Sequence, residues 1–303
     1  MHRYHFNSTL LTIFGSILFL LSPDAFAGWE IGAKAGYDSN IDRAVDGGRS
    51  DSYMTGFLSF TREPSEGTDT GWSLNLGLEG TSYADSTYLN YGMASITPAI
   101  IFYPNPRWRI DISPFINATG ISDEEQSAIA AGGEISMKQL WGQSRYYTGE
   151  YFVYTDSRAD VDIYSYKEKA AGLFAGVNWT DAFWSEIGYE FSRGDSFRAV
   201  GVVTTTQVSM AQISMAQAGN GQGGNGQGGT GQGSTGSSSP RYSQAYNEYI
   251  INEPVDRQTI GINMGYQFTR HIFSFFNYAY TSYKGDAGTS ESHAGTIGIG
   301  YSF

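Results

Sequence analysis

Beyond the first few residues the chain carries two histidines, His271 and His293, and Ser292 stands directly beside the second. Lipid hydrolysis by a serine–histidine pair needs both side chains on one surface within hydrogen-bond reach. Neighbours in a strand point to opposite faces, so Ser292 and His293 do not form that pair. A loop serine serving His293 is the one enzymatic route left, and a histidine at a membrane interface is the simpler reading. The stretch Asp38-Ser39-Asn40-Ile41-Asp42 spaces oxygen ligands as the start of a calcium loop does. Such a loop needs glycine at its sixth position and a bidentate glutamate at its twelfth, where this chain has Arg43 and Arg49. The same spacing sets Asp38, Asn40 and Asp42 on one polar face at a strand end. No catalytic residue, metal or cofactor is expected from these pieces, and the chain is read as a non-enzyme.

A second set of charges is spread along the chain at alternate positions between apolar residues: Glu30, Lys34, Asp38, Glu79, Arg109, Asp111, Glu134, Lys138, Glu150, Glu186 and Glu190. Placed on the inner face of a closed sheet, they would line a lumen in which acids outnumber bases. Fixed charge along a confined aqueous path selects solutes by sign, here cations. The competing reading is an interior plugged by ion pairs, with Arg109 or Lys138 against neighbouring glutamates.

The elements that would position these charges read as strands. Trp29, Ile31, Ala33, Ala35 and Tyr37 alternate with Glu30, Lys34, Asp38 and Asn40 over residues 29–40. Trp72, Leu74, Leu76 and Leu78 alternate with Ser73, Asn75, Gly77 and Glu79, and Ile260, Ile262, Met264, Tyr266 and Phe268 alternate with Thr259, Gly261, Asn263, Gly265 and Gln267. Further strands are expected over 53–61, 93–103, 108–117, 132–140, 146–155, 166–179, 183–193 and 272–283, with Pro114 costing a ladder bond and predicting a bulge or distortion. The last is Gly295 to Phe303, where Ile297, Ile299, Tyr301 and Phe303 share one face and Thr296, Gly298, Gly300 and Ser302 leave the other nearly bare. Lipid is the packing layer that so many half-apolar strands lack, because the sequence offers no helix to cover them.

That closing stretch, ending in an aromatic residue, resembles the terminal assembly signal of Gram-negative outer-membrane β-barrel proteins. The resemblance implies an outer-membrane, porin-like barrel with Ile297, Ile299, Tyr301 and Phe303 as the assembly signal read by the barrel-assembly machinery. Tyr37-Asp38-Ser39-Asn40 is also similar to the first-strand motif of barrels in surface lipoprotein assembly modifiers, although the helical-repeat domain of those proteins has no counterpart here.

Composition agrees with a transmembrane barrel. Aromatics make up 15% of the chain, glycine occurs 39 times, and the mean hydropathy is only -0.31, since lumen-facing polar residues offset lipid-facing ones. The formal charge of -12 argues against a nucleic-acid partner, and the absence of cysteine excludes disulfides and thiolate sites. Arg3, the apolar run from Leu10 to Leu21 and Ala25-Phe26-Ala27 read as an export signal over residues 1–27, removed before Gly28. Residues 28–303 then form one all-β domain, an antiparallel up-and-down barrel of about twelve strands. Longer loops follow the odd-numbered strands and tighter turns the even ones, which puts both termini and the short turns in the periplasm. The region of about 199–245, with the near repeat Val208-Ser209-Met210-Ala211-Gln212 and Ile213-Ser214-Met215-Ala216-Gln217 and the Gly/Gln-rich tract from Gly219 to Ser239, is too poor in apolar residues to order itself and reads as a disordered extracellular loop. Trp29, Trp72, Trp108, Trp179 and Phe303 fall at the periplasmic ends as an aromatic belt. The expected function is passive diffusion of small hydrophilic solutes or ions with a mild cation preference. The alternative is a non-conducting scaffold that displays loops or sheathes a secreted or electron-carrying partner. Outer-membrane lipid and lipopolysaccharide are the surroundings such a barrel would have, and a surface or periplasmic partner stays open.

Overall fold

A computed structural model describes residues 26–45, 47–64, 69–200, 238–243 and 248–303. The export signal up to Ala25, the near repeat over 208–217 and the Gly/Gln-rich tract up to residue 237 lie outside these described residues. Strand follows strand: β1 (Phe26–Asp38), β2 (Asp51–Glu63), β3 (Thr70–Tyr83), β4 (Tyr91–Asn105), β5 (Trp108–Ile121), β6 (Ala128–Trp141), β7 (Tyr146–Ala159), β8 (Tyr166–Asn178), β9 (Phe183–Val200), β10 (Ser238–Ser243), β11 (Glu248–Gln267), β12 (Ile272–Gly285) and β13 (Gly288–Ser302). Each pairs antiparallel with its chain neighbour, except that β9 pairs directly with β11, and β13 returns to β1 with Glu30 opposite Ser302 and Asp38 opposite Ala294. The sheet is therefore a closed barrel of twelve strands, with β10 a short addition paired to the tip of β11. Closure satisfies every edge, which is what allows a sheet to sit in lipid.

One parity of each strand is apolar and faces out. Ile31, Met54, Ile100, Ile116, Ile135, Phe152, Leu173, Ile187, Ile260, Phe276 and Ile297 are all at least two-fifths exposed on that surface. In water such a surface would be a vast exposed apolar patch, so the fold is that of a transmembrane barrel. Trp72, Trp179 and Phe303 stand exposed at the short-turn end, and Trp141, Tyr146 and Tyr301 join them there.

Most strands run further than alternation indicated, especially at the long-loop end. There β3 reaches Tyr83, β7 reaches Ala159 and β9 reaches Val200. The extra rungs lie beyond the apolar band, where both faces are polar and the period-two signal disappears. The region of about 199–245 is likewise flanked by structure: Ala199 and Val200 end β9, and Ser238–Ser243 form β10. Between the strands expected over 272–283 and from Gly295 the chain makes a tight hairpin, not a longer loop, with Gly285 opposite Gly288 and Gly288 at φ +129°. Its Ser290, Glu291 and Ser292 resemble loop residues in composition but alternate as strand. At Pro114 no residue is inserted. Pairing of β4 with β5 pauses between Ile96↔Ile116 and Ile100↔Ile112 and resumes at the same offset, because Pro98 stands across from Pro114 and neither has an N–H to donate.

Candidate functional site

The inward parity carries Glu30, Lys34 and Asp38 on β1, Glu79 on β3, Arg109 and Asp111 on β5, Glu134 and Lys138 on β6, and Glu186 and Glu190 on β9. Several of these groups meet. Lys34 Nζ donates to Glu79 Oε2 at 3.2 Å, and the Tyr91 hydroxyl donates to the other oxygen at 2.7 Å. Arg109 Nε bonds both oxygens of Asp111 at 3.0 Å, while its Nη2 lies 3.3 Å from Glu63 on β2. Glu190 accepts from Tyr151 at 2.7 Å and from Arg257 at 2.8 Å, and Arg257 also lies 3.1 Å from Glu168. Lys138 Nζ sits 3.9 Å over the Tyr147 ring, and Asn263 donates to Glu186 at 3.1 Å. Sequence reading missed Arg257, Glu168 and Glu63. Alternation in the Thr259 to Gln267 segment extends to Arg257 by one further step, and that signal was available.

Glu150 is a correction. In β7 it stands opposite Met137 of β6 and Leu173 of β8, on the parity of Tyr146, Phe152 and Tyr154, so it faces outward and is not part of the lumen. Tyr146 to Tyr154 is aromatic or aliphatic on both faces, so periodicity could not assign a side, and placing the charge inward followed its polarity alone.

The bare inner face of β13 is also not open space. A Cβ added at Gly298 would lie 2.2 Å from Phe275 Cζ, and one at Gly300 would lie 2.3 Å from Phe273 Cζ. Across the β1–β13 junction, Phe57 covers Gly32 and Tyr53 covers Gly36 in the same way, so that a Cβ added at either glycine would collide with the ring. Phe57 and Phe275 meet with ring centroids 6.2 Å apart, and the Tyr53 hydroxyl lies 3.2 Å from Thr296 Oγ1. The glycines are slots, and rings from the two flanking strands roof the seam where the chain closes on itself.

At the long-loop end, L1 (between β1 and β2) folds over the mouth. Ala44 of L1, Leu89 of L2 (between β3 and β4), Ile163 and Tyr164 of L4 (between β7 and β8), Ala199 and Ile250 form one buried apolar cluster. L1 and L4 leave a twelve-strand ring six strands apart, on opposite walls, so a cluster containing both must bridge the opening. L2, L3 (between β5 and β6) and L4 are tied in sequence, Asp123 N to Tyr88 O and Val161 N to Glu125 O, at 2.8 and 3.1 Å. Arg198, wholly buried, anchors L1: it bonds Glu253 at 2.9 Å, Gly288 O at 2.8 Å and Ser290 Oγ at 2.9 Å, and Ser290 Oγ in turn donates to Arg43 O at 3.3 Å. Arg43, in the left-handed region at φ 54°, lies over the rings of Phe197 and Tyr283 and bonds Ser196 Oγ at 2.9 Å. A cavity of about 60 Å³ remains between Arg43, Tyr166, Glu168, Arg257 and Tyr283. Burial pushes the Tyr164 phenol up, and burial, with the Asp42 charge adding, pushes the Glu248 carboxyl up at the tip of β11.

The calcium-like stretch is spent on knitting L1. Asp38 Oδ1 accepts from Asn40 N at 2.8 Å, Asn40 Nδ2 donates to Ala44 O at 3.1 Å, and Asp42, wholly buried, accepts from Arg49 N at 3.2 Å. Ser292 Oγ points inward to Asp38 Oδ1, whereas His293 faces outward with Nδ1 2.8 Å from the Tyr278 hydroxyl. His271 lies in a short turn, its Nδ1 2.8 Å from Ser302 O and its ring stacked on Tyr301.

No protein-family model matches the chain, and no curated protein matches it. Among solved structures it is similar to the KdgM porin (TM-score 0.48, 8% identity, 90% of this chain and 99% of that one covered). It is also similar to the anion-selective porin from Comamonas acidovorans (0.42, 7%, 92% and 99%) and to the translocator domain of the autotransporter NalP from Neisseria meningitidis (0.39, 12%, 97% and 93%).

Proposed function

We propose that the protein is an outer-membrane channel for small hydrophilic solutes or ions, with a mild cation preference and with both termini and the short turns in the periplasm. The observation that supports this is the inner wall. It is polar in a closed barrel, and after Lys34, Arg109 and Arg257 are paired with Glu79, Asp111, Glu63, Glu190 and Glu168, the carboxylates of Glu30, Asp38, Glu134 and Glu186 stand without an ion pair among the described residues, against Lys138 as the inward base that lies over a ring instead. Twelve strands fall between barrels filled by side chains and those with wide aqueous channels. The bridged mouth makes any conductance conditional on L1 moving. Planar-bilayer recording of the purified protein tests this reading. Small discrete steps are expected, with a reversal potential in a salt gradient that favours the cation. A silent bilayer, both for the native protein and for Ala44→Asp, which puts a charge into the buried cap, would remove the channel.

The cap itself favours a second reading, a non-conducting barrel that displays its loops or sheathes a partner. Crosslinking in intact membranes followed by co-purification distinguishes the two. A partner recovered with a protein that never conducts supports the scaffold, and a protein recovered alone with channel activity rules it out.

A further inference from the structure

The outward face at the long-loop end is uneven in charge. A cross-strand row runs over four neighbouring strands, with Lys169 of β8 opposite Arg193 of β9, Arg193 opposite Asp256 of β11, and Asp256 opposite Lys284 of β12. Lys167 and Arg158 stand beside the row on β8 and β7. On each strand the cation follows the apolar band: Arg193 comes after Ile187, Tyr189 and Phe191, Lys169 after Leu173 and Ala171, Lys284 after Tyr278 and Tyr280. That is the depth at which a membrane presents its headgroups.

Like charges directly opposite each other in a sheet repel. Lys169 and Arg193 are such a pair, and Lys169 has no carboxylate within salt-bridge distance among the described residues. The acids nearby are few and partly engaged. Asp156 is shared by Lys167 at 3.4 Å and Arg158 at 3.7 Å, Asp256 holds Arg193 at 3.6 Å, and Asp195 lies one outward step beyond Arg193. The partners of those contacts are well exposed: Arg158, Lys167 and Arg193 keep 83%, 62% and 74% of their side-chain surface, so the pairs are weak and open to exchange for a better anion. In a chain of formal charge -12, a lipid-facing set of five cations on β7, β8, β9 and β12, with only β11 and its Asp256 between the last two, needs a reason.

We infer that the outer ends of β7, β8, β9 and β12 form a binding site for the phosphates of an outer-leaflet glycolipid headgroup, centred on Lys169 and Arg193. A phosphate set between those two side chains turns the repulsive pair into a bidentate cradle, while the acyl chains lie on Leu173, Ile187, Tyr189 and Ile260 beneath. This rests on the outer-membrane reading above.

Native mass spectrometry of the full-length barrel in detergent tests it, with added lipid A carrying both phosphates and with the same lipid after the phosphates are removed. The phosphorylated lipid is expected to be retained. Lys169→Gln with Arg193→Gln should lower that retention roughly tenfold or more, to the level of the dephosphorylated lipid, and Asp256→Asn should raise it. Equal retention of the two lipids, or no loss in the double variant, overturns the site, as does capture of an acidic protein in place of lipid. Heat-modifiable migration of each variant reports folding. Separation of the native protein into the inner-membrane fraction would sink the outer-membrane reading itself, an outcome independent of the lipid measurement.

Discussion

Glycine at positions 298 and 300 matters because of what lies over it. Each gives up its side chain so that a phenylalanine of β12 can lie flat on the wall, and a methyl group at Gly298 would collide with Phe275. Gly298→Ala is expected to destabilise the folded barrel by about 1–3 kcal/mol, the usual range for overpacking, measured by urea titration in lipid vesicles. Combining it with Phe275→Leu should recover part of the loss, and additive effects of the two changes would refute the slot. Glu150 is the opposite case, a residue that sits poorly where it is. It lies between Met137 and Leu173 in the lipid-facing band, so Glu150→Leu should raise stability by about 1 kcal/mol in the same titration. Both features illustrate the limit of periodicity. Alternation assigned Gly298 to the inner face but could not reveal the ring that fills it, because that ring belongs to another strand. At Glu150 the strand is apolar on both sides, and only pairing with β6 and β8 fixes which way it points.

Among the elements, L1 departs furthest from a solvent-exposed connection. Its sequence reads as polar rim, and Asp38, Asn40 and Asp42 do bond the loop's own backbone. What could not be read was its destination: Ala44 and Ile41 are ordinary residues until L4, from the opposite wall, supplies Ile163 and Tyr164 to bury them. Arg198 is the hinge pin of this arrangement. Removing one partner of a buried ion pair strands the other, at a cost of about 3–5 kcal/mol. Arg198→Ala is therefore expected to free L1 without opening the barrel, since Glu253 and Ser290 belong to the rim above the apolar band. Limited proteolysis should then cut within L1 while the barrel stays resistant, and an unchanged cleavage pattern would show that L1 is held by its apolar contacts alone. Replacing both members of the pair, Arg198→Met with Glu253→Leu, should restore protection.

At the scale of the whole molecule, the features most legible in sequence were those that repeat. Twelve half-apolar strands, the aromatic residues at the short-turn end and the excess of inward acid each follow from period-two alternation, and a one-residue slip anywhere would have turned a whole strand inside out. Cap and seam were hidden because they join residues far apart in the chain, Ala44 to Ile163 and Phe57 to Phe275. Together these features define a barrel that is roofed at one end, lined with ring-covered glycines along its seam, and negative in between. Selectivity and opening should then be separable. On the proposed channel reading, with the cap loosened by Ala44→Asp, channel activity should rise while the reversal potential favours cations, because the inward carboxylates lie below L1. Adding Glu134→Gln and Glu186→Gln should move the reversal potential toward zero and leave the opening frequency as it was. If neutralising those two carboxylates leaves the reversal potential unmoved, the ions take their sign preference from the loops, and the lumen acids serve only to bond neighbours such as Asn263.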